Sequence, residues 1–280
     1  MDTHFTQLHP NVTIHQSDTF HTNTGILKTA EGFVLVDPAF TQSDLDRIAA
    51  FTRPQDILAG FSTHAHYDHL FWSSLFGDET PRYCSEGTLE QVVHHRKEIV
   101  DDFLALDNSL LNVNQRLSDK HLSHLSVLSA GLLYLPDFTL ELVDIPGHLR
   151  GQTAFLFPEF GVLFAADTLS NTEPPSIEGN RQSLLDYLES LSTLERLIQR
   201  AEWVVPGHGD PANAVKAKKR LEMDRRYLEG VHALRVEDFS SGLEVLAHTF
   251  LERIGESRTV EADSWQIHLQ NLRAAQRWLN

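Results

Sequence analysis

His64-Ala65-His66-Tyr67-Asp68-His69 places three imidazoles and a carboxylate within six consecutive positions, directly after an apolar run. Imidazole nitrogen and carboxylate oxygen are donors suited to zinc, iron and manganese, and thiolate is nearly absent from this chain. The preceding Asp56-Ile57-Leu58-Ala59-Gly60-Phe61-Ser62 reads as a buried strand, so the donors begin where that strand ends. A loop at a strand end can point His64 and His66 one way while Asp68 and His69 turn toward a neighbouring position. Four donors are too many for one ion that must also hold a water and accept distant ligands. The spacing therefore implies two adjacent metals.

Upstream, Val12-Thr13-Ile14, Thr24-Gly25-Ile26-Leu27 and Phe33-Val34-Leu35-Val36-Asp37, closed by Pro38, read as strands of one sheet. Residues 44–51 suit a short helix that Arg53-Pro54 ends. Downstream, Arg82-Tyr83-Cys84 is a short strand. From 86 to 117 the spacing turns helical, with Leu89, Val92, Val93, Val100 and Phe103 on one stripe. A leucine-rich piece from 104 to 135 lacks strand character. Residues from about 85 to 135 are therefore read as a helical insertion, either a lid or wall over a metal cleft or peripheral packing.

Strand character returns at Phe138-Thr139-Leu140-Glu141-Leu142-Val143 and in a hairpin formed by 153–157 and 161–166. Residues 181–200 form an amphipathic helix with Leu184, Leu188, Leu191, Leu194 and Ile198 on one side and Asn180 as cap. Trp203-Val204-Val205 is a last short strand. The remainder, about 211–280, is mostly helical and ends on the face Trp265, Leu269, Leu272, Leu279. No repeat or linker divides the 280 residues, so a single domain spanning 1–280 is expected.

A hydrophobic content of 41% supplies a real core, and a net charge of -16 argues against nucleic acid as a partner, because phosphates would be repelled. The basic residues from 216 to 220, with Arg225 and Arg226, alternate with Leu221, Met223 and Tyr227 and read as a solvated helix face. Cys84 is the sole cysteine, which excludes an intrachain disulfide and fits a reducing cytoplasm. The first seven residues lack the basic start and apolar stretch of a signal peptide, and no apolar run is long enough to span a membrane. A cytoplasmic protein acting on a small molecule, without a membrane or nucleic-acid partner, is expected.

Three further residues repeat the placement of His64. His148, Asp167 and His208 each follow an apolar strand-like run beside glycine or small residues, and Pro146-Gly147-His148 and Pro206-Gly207-His208-Gly209 put a histidine on a tight turn. His94, His95, His121 and His124 lack such a context, and His268 lies on the Trp265–Leu269 face as a packing histidine or an outer partner of a ligand. The order His64-x-His66-x-Asp68-His69, then His148, Asp167 and His208, resembles the metallo-β-lactamase-fold hydrolase superfamily over residues from about 24 to 210. The resemblance implies an α/β (α+β) fold, a four-layer αββα sandwich with a dinuclear site at one edge. It implies that His64, His66 and His148 bind a first metal, that Asp68, His69 and His208 bind a second, and that Asp167 bridges them. Two divalent ions are implied, zinc before iron or manganese. A hydroxide between them would attack the substrate, with Asp68 as the catalytic residue that orients it or relays its proton.

Within the superfamily the chain is glyoxalase II- and lactonase-like without a subfamily. Asp167-Thr168-Leu169 resembles glyoxalase II, but Ser170-Asn171-Thr172-Glu173-Pro174-Pro175 replaces that group's glycine- and cysteine-containing segment. The tyrosine that lactonases carry shortly after the bridging aspartate has no counterpart before Tyr187. Asp167 itself separates the chain from true β-lactamases. Leu70-Phe71-Trp72 stands where the family usually carries a glycine and reads as a bulky wall near the cleft. The expected activity is metal-dependent hydrolysis of a small ester, thioester or lactone. The alternatives are a mononuclear iron sulfur dioxygenase-like enzyme using only His64, His148 and Asp167, a phosphodiesterase, which would want a basic surface, or a non-catalytic interaction module.

Overall fold

Strands that are apolar at every position must be covered on both faces, and β4 (Gly32–Val36) and β10 (Thr153–Phe157) are buried at all their residues. The computed structural model describes residues 3–106, 124–135, 137–258 and 262–280. Around β4 lie β1 (Phe5–His9), β2 (Val12–Gln16), β3 (Asn23–Lys28), β5 (Asp56–Phe61), β6 (Arg82–Ser85) and β7 (Leu125–Leu128), hydrogen-bonded in the order β1-β2-β3-β4-β5-β6-β7. Around β10 lie β8 (Gly131–Tyr134), β9 (Thr139–Asp144), β11 (Val162–Phe164), β12 (Trp203–Val205) and β13 (Ala212–Asn213), in the order β13-β12-β11-β10-β9-β8. The helices are α1 (Gln42–Thr52), α2 (Tyr67–Leu70), α3 (Glu86–His94), α4 (Arg96–Leu104), α5 (Arg181–Ile198), α6 (Ala214–His232), α7 (Leu243–Ile254) and α8 (Ala262–Leu279).

Period-two alternation assigns each side chain to a layer. Val34 and Val36 of β4 meet Phe155 and Phe157 of β10, with Phe164 of β11, in the core between the sheets. The intervening Phe33 and Leu35 face the other way, onto Leu45 and Ile48 of α1. In the second sheet Ala154, Leu156 and Leu163 turn outward against α5 to α8. The result is the expected four-layer sandwich of helices, two sheets and helices.

Strand direction brings the donor residues together. β4 and β5 are parallel, so Asp37 and His64 leave the first sheet at the same edge. β11 and β12 are parallel, and β9 runs with them because both β9 and β11 are antiparallel to β10. His148, Asp167 and His208 therefore all leave the second sheet at one edge. The two edges are stitched by backbone bonds from Thr153 N to the Thr63 carbonyl (2.9 Å) and from Asn23 N to the Gly207 carbonyl (2.8 Å).

Three expectations are corrected. The leucine-rich piece before residue 135 is not helical where it is described: Leu125–Leu128 pairs parallel with β6 and Gly131–Tyr134 antiparallel with β9. Both strands are short and half-exposed, so leucine's helix preference masked an alternation too brief to register. The helical part of the insertion is α3 and α4, broken at His95, with Val92 buried but Val93 66% exposed, so the single stripe does not hold. Residues 107–123, including His121, lie outside the described residues. Leu70-Phe71-Trp72 is not a cleft wall: Leu70 and Phe71 are buried with Ile99 and Phe103 of α4, and Trp72 packs beneath β5 at Gly60, where a Cβ would lie 2.3 Å from its ring. Glycine at 60 makes room for the tryptophan at 72.

Asn23 is buried and donates through Nδ2 to the carbonyls of Pro206 (2.9 Å) and Gly209 (2.6 Å), holding the His208 turn against the first sheet. Asn23→Ala strips the Pro206 carbonyl of this donor and leaves the Gly209 carbonyl with Gln16 Nε2 (2.7 Å). It should cost about 1–3 kcal/mol, seen in urea unfolding as a lower midpoint at unchanged slope.

Candidate metal centre

The structure brings all seven expected side chains to this edge, in two sets whose donor atoms lie within 4.8 Å of one another: His64, His66, His148 and Asp167, and Asp68, His69 and His208. His66 Nδ1 is 3.1 Å from both His64 Nε2 and His148 Nε2. In the second set His69 Nε2 is 3.2 Å from His208 Nε2, and Asp68 Oδ2 lies 3.5 and 3.4 Å from those two nitrogens. Asp167 stands between the sets. Its Oδ2 is 3.5 Å from His64 Nε2, 3.2 Å from His148 Nε2 and 3.4 Å from His208 Nε2, while Oδ1 is 3.2 Å from His69 Nε2.

The outer hydrogen bonds decide which nitrogen faces inward. His148 Nδ1–H donates to the Ser176 carbonyl (3.2 Å), His208 Nδ1–H to the Phe20 carbonyl (2.9 Å) and His69 Nδ1–H to Asp37 Oδ2 (3.1 Å). Thr63 Oγ1 donates to Asp37 Oδ2 (2.7 Å) and so receives the His64 Nδ1–H at 3.0 Å. In these four rings the Nε2 lone pair is left pointing at the centre, and His66 alone presents Nδ1. A tetrahedral ion with nitrogen bonds of about 2.0–2.1 Å separates its donors by about 3.3 Å. The spacings here match. Asp167 Oδ1 is buried and accepts no hydrogen bond among the described residues, which is the state of an oxygen that serves a cation. The donor set fits one or more divalent metals.

Electrostatics point the same way. Burial keeps His64 well below the ordinary histidine range, so it offers a lone pair at neutral pH. Burial also opposes charge on His69 and His208, but neighbouring carboxylates outweigh it. Asp167 and Asp68 hold His69 well above its usual value, and Asp167 and Glu173 lift His208 to about 10. Burial would raise Asp167 and Asp68, yet His69 and His208 hold both below the usual carboxylate range. Without a metal, imidazolium charge neutralises the buried carboxylates.

The set opens into a cavity of about 540 Å³ whose far walls carry Tyr67, Ile99 and Asp102 on one side, Glu173 in the loop after Asp167, and Asp263 and Ile267 of α8 on the other. Helix α4 thus does form part of a wall. Of the other histidines, His94, His95 and His124 are exposed, and His268 is buried against Tyr227, away from the donors. Asp37 escaped sequence reading, although it ends an apolar strand as the donors do. It receives Thr63 N, Thr63 Oγ1 and His69 Nδ1, at a backbone φ of 48°. The carbonyls of Phe20 and Ser176 carry no sequence signal, because any residue supplies one.

This fold and this site define a member of the metallo-beta-lactamase superfamily: the family model matches residues 17–208, and the chain belongs to that family. Among curated proteins it is 26% identical over 161 residues to a hydroxyacylglutathione hydrolase of Synechococcus sp. (strain JA-3-3Ab), covering 57% of this chain and 53% of that enzyme, about half its length. It is 25% identical over 197 residues to a probable metallo-hydrolase of Streptococcus pyogenes serotype M6, covering 67% of this chain and 78% of that protein. Among solved structures, a metallo-beta-lactamase family protein from Thermus thermophilus superposes with a TM-score of 0.67 at 21% identity, covering 98% of this chain and 94% of that one. The sec-alkylsulfatase Pisa1 from Pseudomonas sp. superposes with a TM-score of 0.64 at 16% identity, covering 98% of this chain and 50% of the sulfatase. Such distant likenesses establish the fold. The superfamily consists largely of metal-dependent hydrolases, and the His/Asp sets of this chain are of that metal-binding kind.

Two outcomes are expected. Because neighbouring carboxylates hold His69 and His208 above the ordinary histidine range, loading zinc at neutral pH should release protons and tighten as pH rises. Titration in buffers of different ionisation heat measures this, and zero release would contradict it. A Cβ on Gly207 would sit 1.9 Å from Asp167 Oδ1 and 2.9 Å from His69 Cε1. Gly207→Ala should therefore weaken metal retention by about 10- to 100-fold in chelator competition.

Proposed function

We propose that this protein is a dinuclear metal-dependent hydrolase of a small ester, thioester or lactone, acting in the cytoplasm on a small-molecule substrate. The observation that carries the reading is Asp167, which stands between the sets: its Oδ2 lies within 3.5 Å of nitrogens of both, and its Oδ1 faces His69 of the second. In this reading His64, His66 and His148 hold one ion, Asp68, His69 and His208 the other, and Asp167 both. Nitrogen and oxygen donors at tetrahedral spacing suit zinc, with iron and manganese sharing the same donors. Two divalent ions there would activate a water at neutral pH and polarise the scissile carbonyl.

The protein's own groups do the rest. Asp68 lines the cavity as well as the second set, so its carboxylate is placed to take the proton of the attacking water and pass it to the leaving group. Asp37 fixes His69 directly and His64 through Thr63, so one buried carboxylate orients a ring in each set. Asp102, Glu173 and Asp263 around the cavity disfavour an anionic phosphodiester, and similarity to a hydroxyacylglutathione hydrolase supports keeping thioesters in the set. A mononuclear dioxygenase would leave Asp68, His69 and His208 without a task, although they are as buried and as closely spaced as the first set. Among the described residues no helix is long and apolar enough to cross a membrane.

Elemental analysis of the purified protein should find two metal equivalents per chain, and one iron per chain would sink the dinuclear reading. In a panel of thioesters, lactones, esters and phosphodiesters, Asp68→Ala should lower kcat on the hydrolysed substrate by about 10²- to 10⁴-fold with an unchanged circular dichroism spectrum. Unaltered turnover would remove Asp68 from the mechanism.

A further inference from the structure

The loop at 168–177 follows Asp167, carries Glu173 into the cavity and contains Ser176, whose carbonyl receives His148 Nδ1–H. It is held almost entirely by residues beyond 208, where the family match stops. Asp224 of α6 accepts from Leu169 N (3.0 Å) and pairs with Arg258, which donates to the Ser170 carbonyl (3.1 Å). Ser264 Oγ of α8 donates to the Thr172 carbonyl (2.9 Å). Asn271, also on α8 and buried, donates from Nδ2 to the Pro175 carbonyl (2.7 Å) and accepts Ile177 N–H on Oδ1 (3.1 Å). These last two bonds bracket Ser176 on both sides.

We infer that Asn271 is a positioning residue for His148: by fixing Pro175 and Ile177 it aims the Ser176 carbonyl that sets the tautomer and ring plane of His148. The inference rests on the metal-binding reading above. Asn271 is itself held in one orientation. Its second Nδ2–H donates to Tyr227 Oη (3.0 Å), and Tyr227 O–H donates to His268 Nδ1 (2.8 Å), whose other nitrogen donates to the Ala247 carbonyl (3.3 Å). Burial lowers His268 to about 4, so the ring is neutral and its Nδ1 is an acceptor, as the relay requires. Reversing the amide would set donor against donor at Ile177 and acceptor against acceptor at Pro175. A residue serving only to fill space at this position needs neither the amide nor its direction.

The test compares Asn271→Ala with Leu272→Ala, a truncation of a fully buried neighbour on the same helix that packs in the helical core. Zinc affinity of the full-length protein is measured by chelator competition, alongside thermal unfolding. Both variants should lose thermal stability, but only Asn271→Ala should weaken its first-lost zinc equivalent, by about tenfold, because His148 loses its oriented partner. Should Asn271→Ala not fold, Asn271→Ser, too short to span Pro175 and Ile177 together, reads the same effect. Wild-type affinity in the asparagine variant, or an equal loss in Leu272→Ala, overturns the inference and leaves the metal reading standing. A wild-type protein that holds no zinc, iron or manganese overturns both.

Discussion

Asp167 is the constraint on which the rest of the structure depends. A carboxylate this deeply buried is costly without positive charge beside it, and imidazoles from both sheets stand within 3.5 Å of its oxygens. To deliver them, the ends of β5, β9 and β12 must reach the edge where β11 ends, and the observed mixture of parallel and antiparallel pairings places them there. The tight turns follow from the same demand. Ala166 adopts a φ of 49° immediately before the aspartate, and Gly147 stands where a Cβ would strike the backbone of Tyr187 at 2.4 Å. Tyr187 in turn donates its hydroxyl to the Asp167 carbonyl (2.8 Å). Backbone strain and missing side chains cluster where the donors must converge.

Much of this was legible in the residues themselves, for identifiable reasons. Fully buried strands such as 153–157 and the leucine stripe of 181–198 carry strong periodicity, and Asn180 caps α5 as expected, its side chain accepting from Ser183 N. The donor residues were legible because each has rare chemistry at a strand end. Three kinds of feature were not. Short half-exposed strands, 125–128 and 131–134, hold too few alternations to outweigh leucine's helical bias. A bulky residue's direction is set by a distant gap, as Trp72 is by Gly60. Backbone carbonyls that orient rings, at Phe20 and Ser176, leave no mark on composition. Asp37 belongs to a different group: the strand-end rule that found His64 applies to it equally.

The helical residues beyond 208 divide their work between packing and polar contact. Leu221, Leu228, Leu246 and Leu272 join α5 in the largest apolar cluster and cover the second sheet. Polar residues of α6 and α8 point to the loop after Asp167, and α8, which helps to shield the sheet, also forms a wall of the cavity. Specificity can then change through α4 and α8 while the donor geometry stays constant.

Each donor set draws on both layers of strands. His64 and His66 leave the first sheet and His148 and Asp167 the second, just as Asp68 and His69 face His208. A cation held by either set is therefore bonded to both halves of the sandwich and works as a crosslink across the edge where the inter-sheet core ends. The one cysteine, Cys84, is buried and unpaired, so no covalent crosslink does this work. An ion bound there would fasten the two sheets reversibly: it could be loaded, withdrawn and set by the free concentration of that ion.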